Sequence, residues 1–234
     1  MPDLRARLDS VRDRLARAAR RAGRDPTAIT LVAISKTFPA ADIRAAAAAG
    51  QIQFGENKVQ EALRKMGEIS DLALTWHLVG HLQSNKARKA AEHFDVIHSV
   101  HNRALVAALD EAALSTGRRI ELLIQVDLAK EPTKHGAAVD ELVGIFDAGQ
   151  KCTAVRITGL MLLPPASEDP QDARPHFVAL QRLRDMLLAK GVDAAQLAQL
   201  SMGMSHDFEV AVEEGATIVR VGSAIFGART STPV

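Results

Sequence analysis

An alternation limits the fold of this chain more than any other feature. Eight short apolar runs, several of them β-branched, are each followed by a stretch with helical spacing. The runs fall at residues 31–34, 52–54, 74–79, 96–100, 119–128, 157–163, 199–202 and 217–221. The helical stretches fall at 40–49, up to about 66, 85–93, 104–114, 139–148, 173–190 and 206–214, with a last helical turn beyond 221. Strand-then-helix repetition forces neighbouring strands parallel through right-handed crossovers. Eight such units in 234 residues fit a closed (β/α)8 TIM barrel better than an open doubly wound sheet. The first strand-to-helix turn reads Ser35-Lys36-Thr37-Phe38-Pro39. It has no glycine, so it is not the phosphate turn of a dinucleotide fold.

Ahead of the first strand, Leu4, Leu8, Val11, Leu15, Ala18 and Ala22 recur at steps of three and four, which predicts an extra N-terminal helix ending near Gly23. No linker or low-complexity tract interrupts residues 1–234, so a single domain is expected, with 164–175 its most loop-like segment.

Composition removes several function classes. A net charge of +1 gives no cationic field for nucleic acid, and one Trp, seven Phe and no Tyr leave little for base stacking. Uncharged apolar runs fall far short of a membrane span. The single cysteine, Cys152, has no disulfide partner in the chain and no metal-ligand spacing around it. Residues 1–24 are arginine-rich but amphipathic, unlike a secretory leader, so a cytoplasmic location is expected.

The first strand, Leu31-Val32-Ala33-Ile34, ends in Ser35-Lys36. A lysine at the carboxyl end of a buried strand must be solvated, paired or neutralised, and a neutral amine is what a carbonyl-trapping lysine needs. Taken alone, Lys36 is more readily read as snorkelling out to solvent. Two segments near the far end change that balance, Leu200-Ser201-Met202-Gly203-Met204-Ser205 and Arg220-Val221-Gly222-Ser223-Ala224-Ile225-Phe226-Gly227. They follow strands seven and eight, where barrels of this type bind phosphate against backbone amides. Gly203 and Gly222 admit an anion, and Ser201, Ser205 and Ser223 add hydroxyls, although Ser205 could instead serve as a helix N-cap beside Asp207. Arg220 lies inside an apolar strand and needs an acceptor, either a carboxylate such as Glu209 or Asp207 or the ring nitrogen of a bound cofactor. A lysine, an anion cradle and an arginine so placed describe a site for pyridoxal 5′-phosphate.

The chain resembles the pyridoxal phosphate homeostasis proteins, barrel-only relatives of the fold-type III bacterial alanine racemases. The resemblance is carried by Val32-Ala33-Ile34-Ser35-Lys36-Thr37, Phe54-Gly55-Glu56-Asn57, Trp76-His77-Leu78-Val79-Gly80-His81-Leu82-Gln83-Ser84-Asn85-Lys86, Gly159-Leu160-Met161, and the two C-terminal segments through Arg229. It implies a reversible aldimine on Lys36, Arg220 facing the pyridine nitrogen, and a cofactor set completed by Asn57, Ser201, Met202, Ser205, Gly222 and Ser223. Phe38 stands where relatives often carry a basic residue, and Lys58 where an aromatic is common. Phe38 weakens any scheme in which a neighbouring lysine takes over the cofactor, leaving Lys134 as the candidate.

His77 and His81 have the spacing of a helical zinc pair, but Gly80 and the strand pattern work against a helix, and no third ligand is suggested. His77 is expected to line the barrel and His81 to open the next loop. Asn57, Gln83 and Asn85 could line the mouth or serve as turn and cap residues. An arginine beside the pyridine nitrogen disfavours its protonation and leaves a poor electron sink. The tyrosine that serves racemisation in the larger relatives has no counterpart in a chain without tyrosine. The expected role is therefore a carrier that keeps free pyridoxal 5′-phosphate low and supplies apo enzymes, as a monomer, with no catalytic residue and no metal. The alternative is a racemase of narrow activity using Lys36 and a residue such as His77 as its bases; a structural interaction module would leave the lysine and the glycine turns unexplained.

Overall fold

A computed structural model describes residues 3–128 and 136–228. The chain enters through α1 (Leu4–Arg21), which Asp3 starts by accepting the Ala6 N–H at 3.2 Å. Arg20 and Arg21 in the last turn complement the helix dipole, and Gly23, with φ +67°, turns the chain away. Leu8, Val11, Leu15 and Ala18 form its buried face, and arginines in and just after it reach the Phe208–Glu213 helix. Arg14 pairs with Glu209 at 2.8 Å, and Arg24 donates to the Val212 carbonyl at 2.6 Å.

The alternation then resolves into β1 (Thr30–Ile34), α2 (Ala40–Ala48), β2 (Gln53–Glu56), α3 (Val59–Glu68), β3 (Thr75–Leu78), α4 (Ala87–His93), β4 (Val96–Val100), α5 (Arg103–Ser115) and β5 (Ile120–Gln125). It continues with α6 (Leu142–Gln150), β6 (Val155–Met161), α7 (Arg174–Ala189), β7 (Gln199–Ser201), α8 (Phe208–Glu213), β8 (Ile218–Val221) and α9 (Ser223–Phe226). Every strand pairs in parallel with the next, and β8 closes on β1 with Val32 opposite Arg220 and Ala33 opposite Val221. The structure is the eight-stranded closed barrel that the alternation requires.

Alternation along each strand divides the apolar residues into two sets. Val32, Ile34, Val96, Leu123, Met161 and Ile218 pack together inside the barrel. Ala33, Phe54, Leu78, Ile97, Leu122, Leu160 and Val219 face outward and join the helices in the larger core. At about 1.5–3 kcal/mol for each large apolar side chain taken out of water, this outer layer is the main source of stability. Gly55 makes room for the inner set: a Cβ there would lie 2.5 Å from Ile34 Cδ1.

Some element ends differ from the sequence expectation. The run 119–128 forms a strand only over Ile120–Gln125; Val126 still donates to the Met161 carbonyl at 3.0 Å and makes an isolated bridge with Ala137. The helix expected from 85 begins as a 3-10 turn at Ser84–Lys86 before α4, and the one expected from 139 begins at Leu142. Among the described residues, no helix is long and apolar enough to cross a membrane.

Candidate functional site

All eight strands run the same way, so their carboxyl ends meet at one mouth of the barrel. A cavity of about 430 Å³ opens there, within the range of about 300–1,000 Å³ usual for small-molecule sites. Lys36 reaches it from the end of β1, Asn57 from the end of β2, and Arg220 from β8. Ser205 comes from the turn after β7, and Gly222 and Ser223 from the turn after β8. Ile34, Val79 and Leu163 supply apolar walls. Six of the eight cofactor residues expected from the sequence therefore line one cavity. Ser201 and Met202 do not; both are fully buried and lie outside its lining. Lys134 falls outside the described residues.

The end of the cavity where the sequence suggests anion binding is built by two turns that hold each other. Gly203 has φ +90°, and a Cβ there would fall 2.5 Å from Ala211 Cβ, so only glycine brings this turn down onto α8. Ser205 does not cap α8. Its Oγ instead accepts the Gly222 N–H at 3.0 Å and the Ala224 N–H at 3.4 Å, which leaves its own hydrogen to donate. Asp207 accepts the Met204 N–H at 2.6 Å and so holds its own turn. A Cβ on Gly222 would come within 3.2 Å of the Ile34 carbonyl, so that turn sits tight against the end of β1. Phe38 and Phe226 stack at 5.0 Å, tying the Lys36 turn to α9, and Arg7 of α1 donates to the Ile225 carbonyl at 2.6 Å. The N-terminal helix thus secures the same end of the site.

Of the two kinds of acceptor the sequence leaves open for Arg220, the carboxylates Glu209 and Asp207 do not bond it. Glu209 is taken by Arg14, and the Asp207 carboxylate serves the Met204 N–H. The guanidinium donates to Ser201 Oγ at 2.6 Å and to the Leu162 carbonyl at 2.9 Å. Burial pulls it down to about 10, with Asp207 nearby acting the other way, so it remains a cation at neutral pH.

An amine, a fixed cation, hydroxyl and amide donors and apolar walls in one cavity fit a flat aromatic aldehyde carrying a phosphate. Residues 6–230 match the family model described as "Alanine racemase, N-terminal domain". The pyridoxal phosphate homeostasis protein of Pseudomonas aeruginosa is 42% identical over 229 residues, covering 98% of this chain and 97% of that protein. The chain belongs to the pyridoxal phosphate homeostasis protein family. The family member of Aquifex aeolicus is 41% identical over 223 residues, with 95% and 97% covered. The structure of another member, PipY of Synechococcus elongatus with PLP bound, superposes with a TM-score of 0.85 at 42% identity, covering 96% of this chain and 100% of that one.

Below the mouth of this family member, a line of polar side chains crosses the barrel interior. His98 Nδ1 lies 2.9 Å from Ser201 Oγ, His77 Nδ1 lies 2.8 Å from His98 Nε2, and His77 Nε2 lies 2.7 Å from Gln53 Oε1. Burial holds His77 down at about 3, and burial, with His77 and the Arg220 cation close by, holds His98 well below its usual range, so both rings are neutral near pH 7. The hydrogens then run one way. Gln53 Oε1 can only accept, so His77 donates from Nε2, His98 donates to His77, Ser201 donates to His98, and Arg220 donates to Ser201. The sequence places His77 in the barrel lining and Ser201 among the phosphate donors, and gives no sign that His98 joins them.

Proposed function

We propose that this chain holds pyridoxal 5′-phosphate at the barrel mouth as a reversible Schiff base on Lys36, for storage and delivery to apo enzymes rather than for turnover. The reading rests above all on one observation: Lys36, Arg220, Ser205, Gly222 and Ser223 line a single cavity. Linkage needs no other reagent. Lys36 would supply the lone pair for the aldehyde carbon, and its two N–H hydrogens would leave with the aldehyde oxygen as water. Ser205 and Ser223 would donate to the phosphate beside the Gly222 turn, and Ile34, Val79 and Leu163 would enclose the ring. When bound, the cofactor supplies an electrophilic carbon and an electron-withdrawing ring. A cationic Arg220 against the pyridine nitrogen keeps that ring unprotonated, which favours holding over carbanion chemistry. His77, the second base in the racemase alternative, lies between Gln53 and His98 and is not part of the cavity lining.

The test is to incubate the yellow holoprotein with L-alanine and other amino acids. The carrier reading predicts retained colour and no chiral inversion above that given by free cofactor. Clear inversion dependent on Lys36 would contradict it.

A further inference from the structure

Lys36 stands where two peptide planes meet, and both planes are held by one buried cluster of charges. On the near side, the Ser35 carbonyl accepts Lys65 Nζ at 2.8 Å and the Phe38 N–H at 3.0 Å. On the far side, the Thr37 N–H donates to Glu61 Oε1 at 2.7 Å. The same Glu61 oxygen lies 2.7 Å from Lys65 Nζ, whose remaining contact is Glu56 Oε1, also at 2.7 Å. Glu56 Oε1 in turn accepts the Ser35 hydroxyl at 2.7 Å. Lys65 and Glu56 are fully buried. Three acceptors, the end of β1, the end of β2 and the first turn of α3, thus satisfy the three donors of one ammonium.

An apolar residue at position 65 could fill the same space without desolvating a charge, so packing alone does not account for this cluster. What it specifies is a backbone conformation. Thr37 has φ +70°, a region that β-branched residues rarely enter and that a turn closed from Phe38 to Ser35 requires at its third position when it is of type II. Burial pushes Glu56 up. Burial acts on Glu61 in the same sense, but Lys65 and the Thr37 N–H outweigh it and hold Glu61 low, which makes Glu61 the firmly ionised member opposite Thr37.

We infer that Glu61 and Lys65 are positioning residues for Lys36: they lock the left-handed turn at Thr37 and so aim the Lys36 amine into the cavity. The inference rests on the Schiff-base reading above. It assigns these residues an effect on covalent capture and none on the grip of the phosphate and ring.

Two ligands separate those effects, pyridoxal 5′-phosphate and pyridoxine 5′-phosphate, which has the same ring and phosphate but an alcohol in place of the aldehyde. Glu61→Ala, which removes the acceptor from Thr37 N–H, should weaken pyridoxal 5′-phosphate binding about tenfold or more. Pyridoxine 5′-phosphate affinity should stay within about twofold, and Glu61→Gln, which keeps an acceptor, should restore most of the loss. If Glu61→Ala does not fold, Glu61→Asp, whose shorter side chain retracts the carboxylate, must show the same split. Parallel loss of both ligands, or loss of neither, overturns the inference. A wild-type protein that bound the two ligands equally would instead remove the Lys36 linkage itself.

Discussion

Arg220 Nη1 donates to Ser201 Oγ across 2.6 Å, and Ser201 in turn is committed to His98. The cation at the cofactor cavity is therefore held by neutral partners. Among the described residues no carboxylate touches it, and Asp207 acts on it only through space, so much of its charge is left for whatever faces it.

Ser201 is buried and outside the cavity lining. Ser201→Ala leaves His98 Nδ1 and one Arg220 N–H without their partner, which should cost about 1–3 kcal/mol of stability. A urea denaturation curve should show a lower midpoint, while the borohydride-fixed adduct on Lys36 persists. A variant as stable as the parent would mean that the polar line through the barrel contributes nothing.

The two histidines set a pH dependence. Their folded-state pKa values lie below the unfolded value near 6.5, so the unfolded chain binds more protons as the pH falls. Stability from this source is complete above about 6.5 and is lost on acidification. For His77 alone, held at about 3, the loss is about 1.4 kcal/mol per pH unit between 6.5 and 3. His77→Gln should lower the neutral plateau and flatten this acid limb in chemical denaturation at a series of pH values. An unchanged limb would contradict the assignment.

Gly203→Ala should destabilise by about 2 kcal/mol or more, since it combines a left-handed backbone with a Cβ driven into Ala211. Because the same turn carries Ser205, phosphate-dependent binding should weaken with it. Isothermal titration with pyridoxine 5′-phosphate, alongside thermal unfolding, would measure both effects.

Arg220→Gln removes the like charge from beside the ring nitrogen while keeping a donor for Ser201 or the Leu162 carbonyl; a glutamate would face that carbonyl and be repelled. The absorption spectrum of bound cofactor should shift as ring protonation becomes possible, with the Lys36 adduct retained. An identical spectrum would place Arg220 away from the ring.

Much of this molecule was legible in its sequence because the signals were local. The run 31–34 and its seven counterparts fixed the barrel, and the glycine-serine turns at 203–205 and 222–223 fell where a barrel gathers phosphate donors. What escaped depended on pairing across the fold. Lys65 has the helical setting of an ordinary surface lysine, and nothing in α3 signals that Ser35 and Glu56 wait on neighbouring strands. His98 reads as one polar residue in an apolar strand, and its link from His77 to Ser201 exists only because β3, β4 and β7 face a common interior. For Arg220 the sequence offers nearby Glu209 or Asp207, or a cofactor ring nitrogen; in the fold its protein acceptors are Ser201 at the end of β7 and the Leu162 carbonyl just past β6.

The central claim is covalent capture at one amine. The most direct measurement is intact and peptide-level mass spectrometry of the protein incubated with pyridoxal 5′-phosphate, before and after borohydride, for the wild type and Lys36→Ala. The account predicts one reduced adduct per chain, mapped to Lys36 and absent from the variant. No adduct in the wild type, or an equal amount on another lysine in Lys36→Ala, would contradict it.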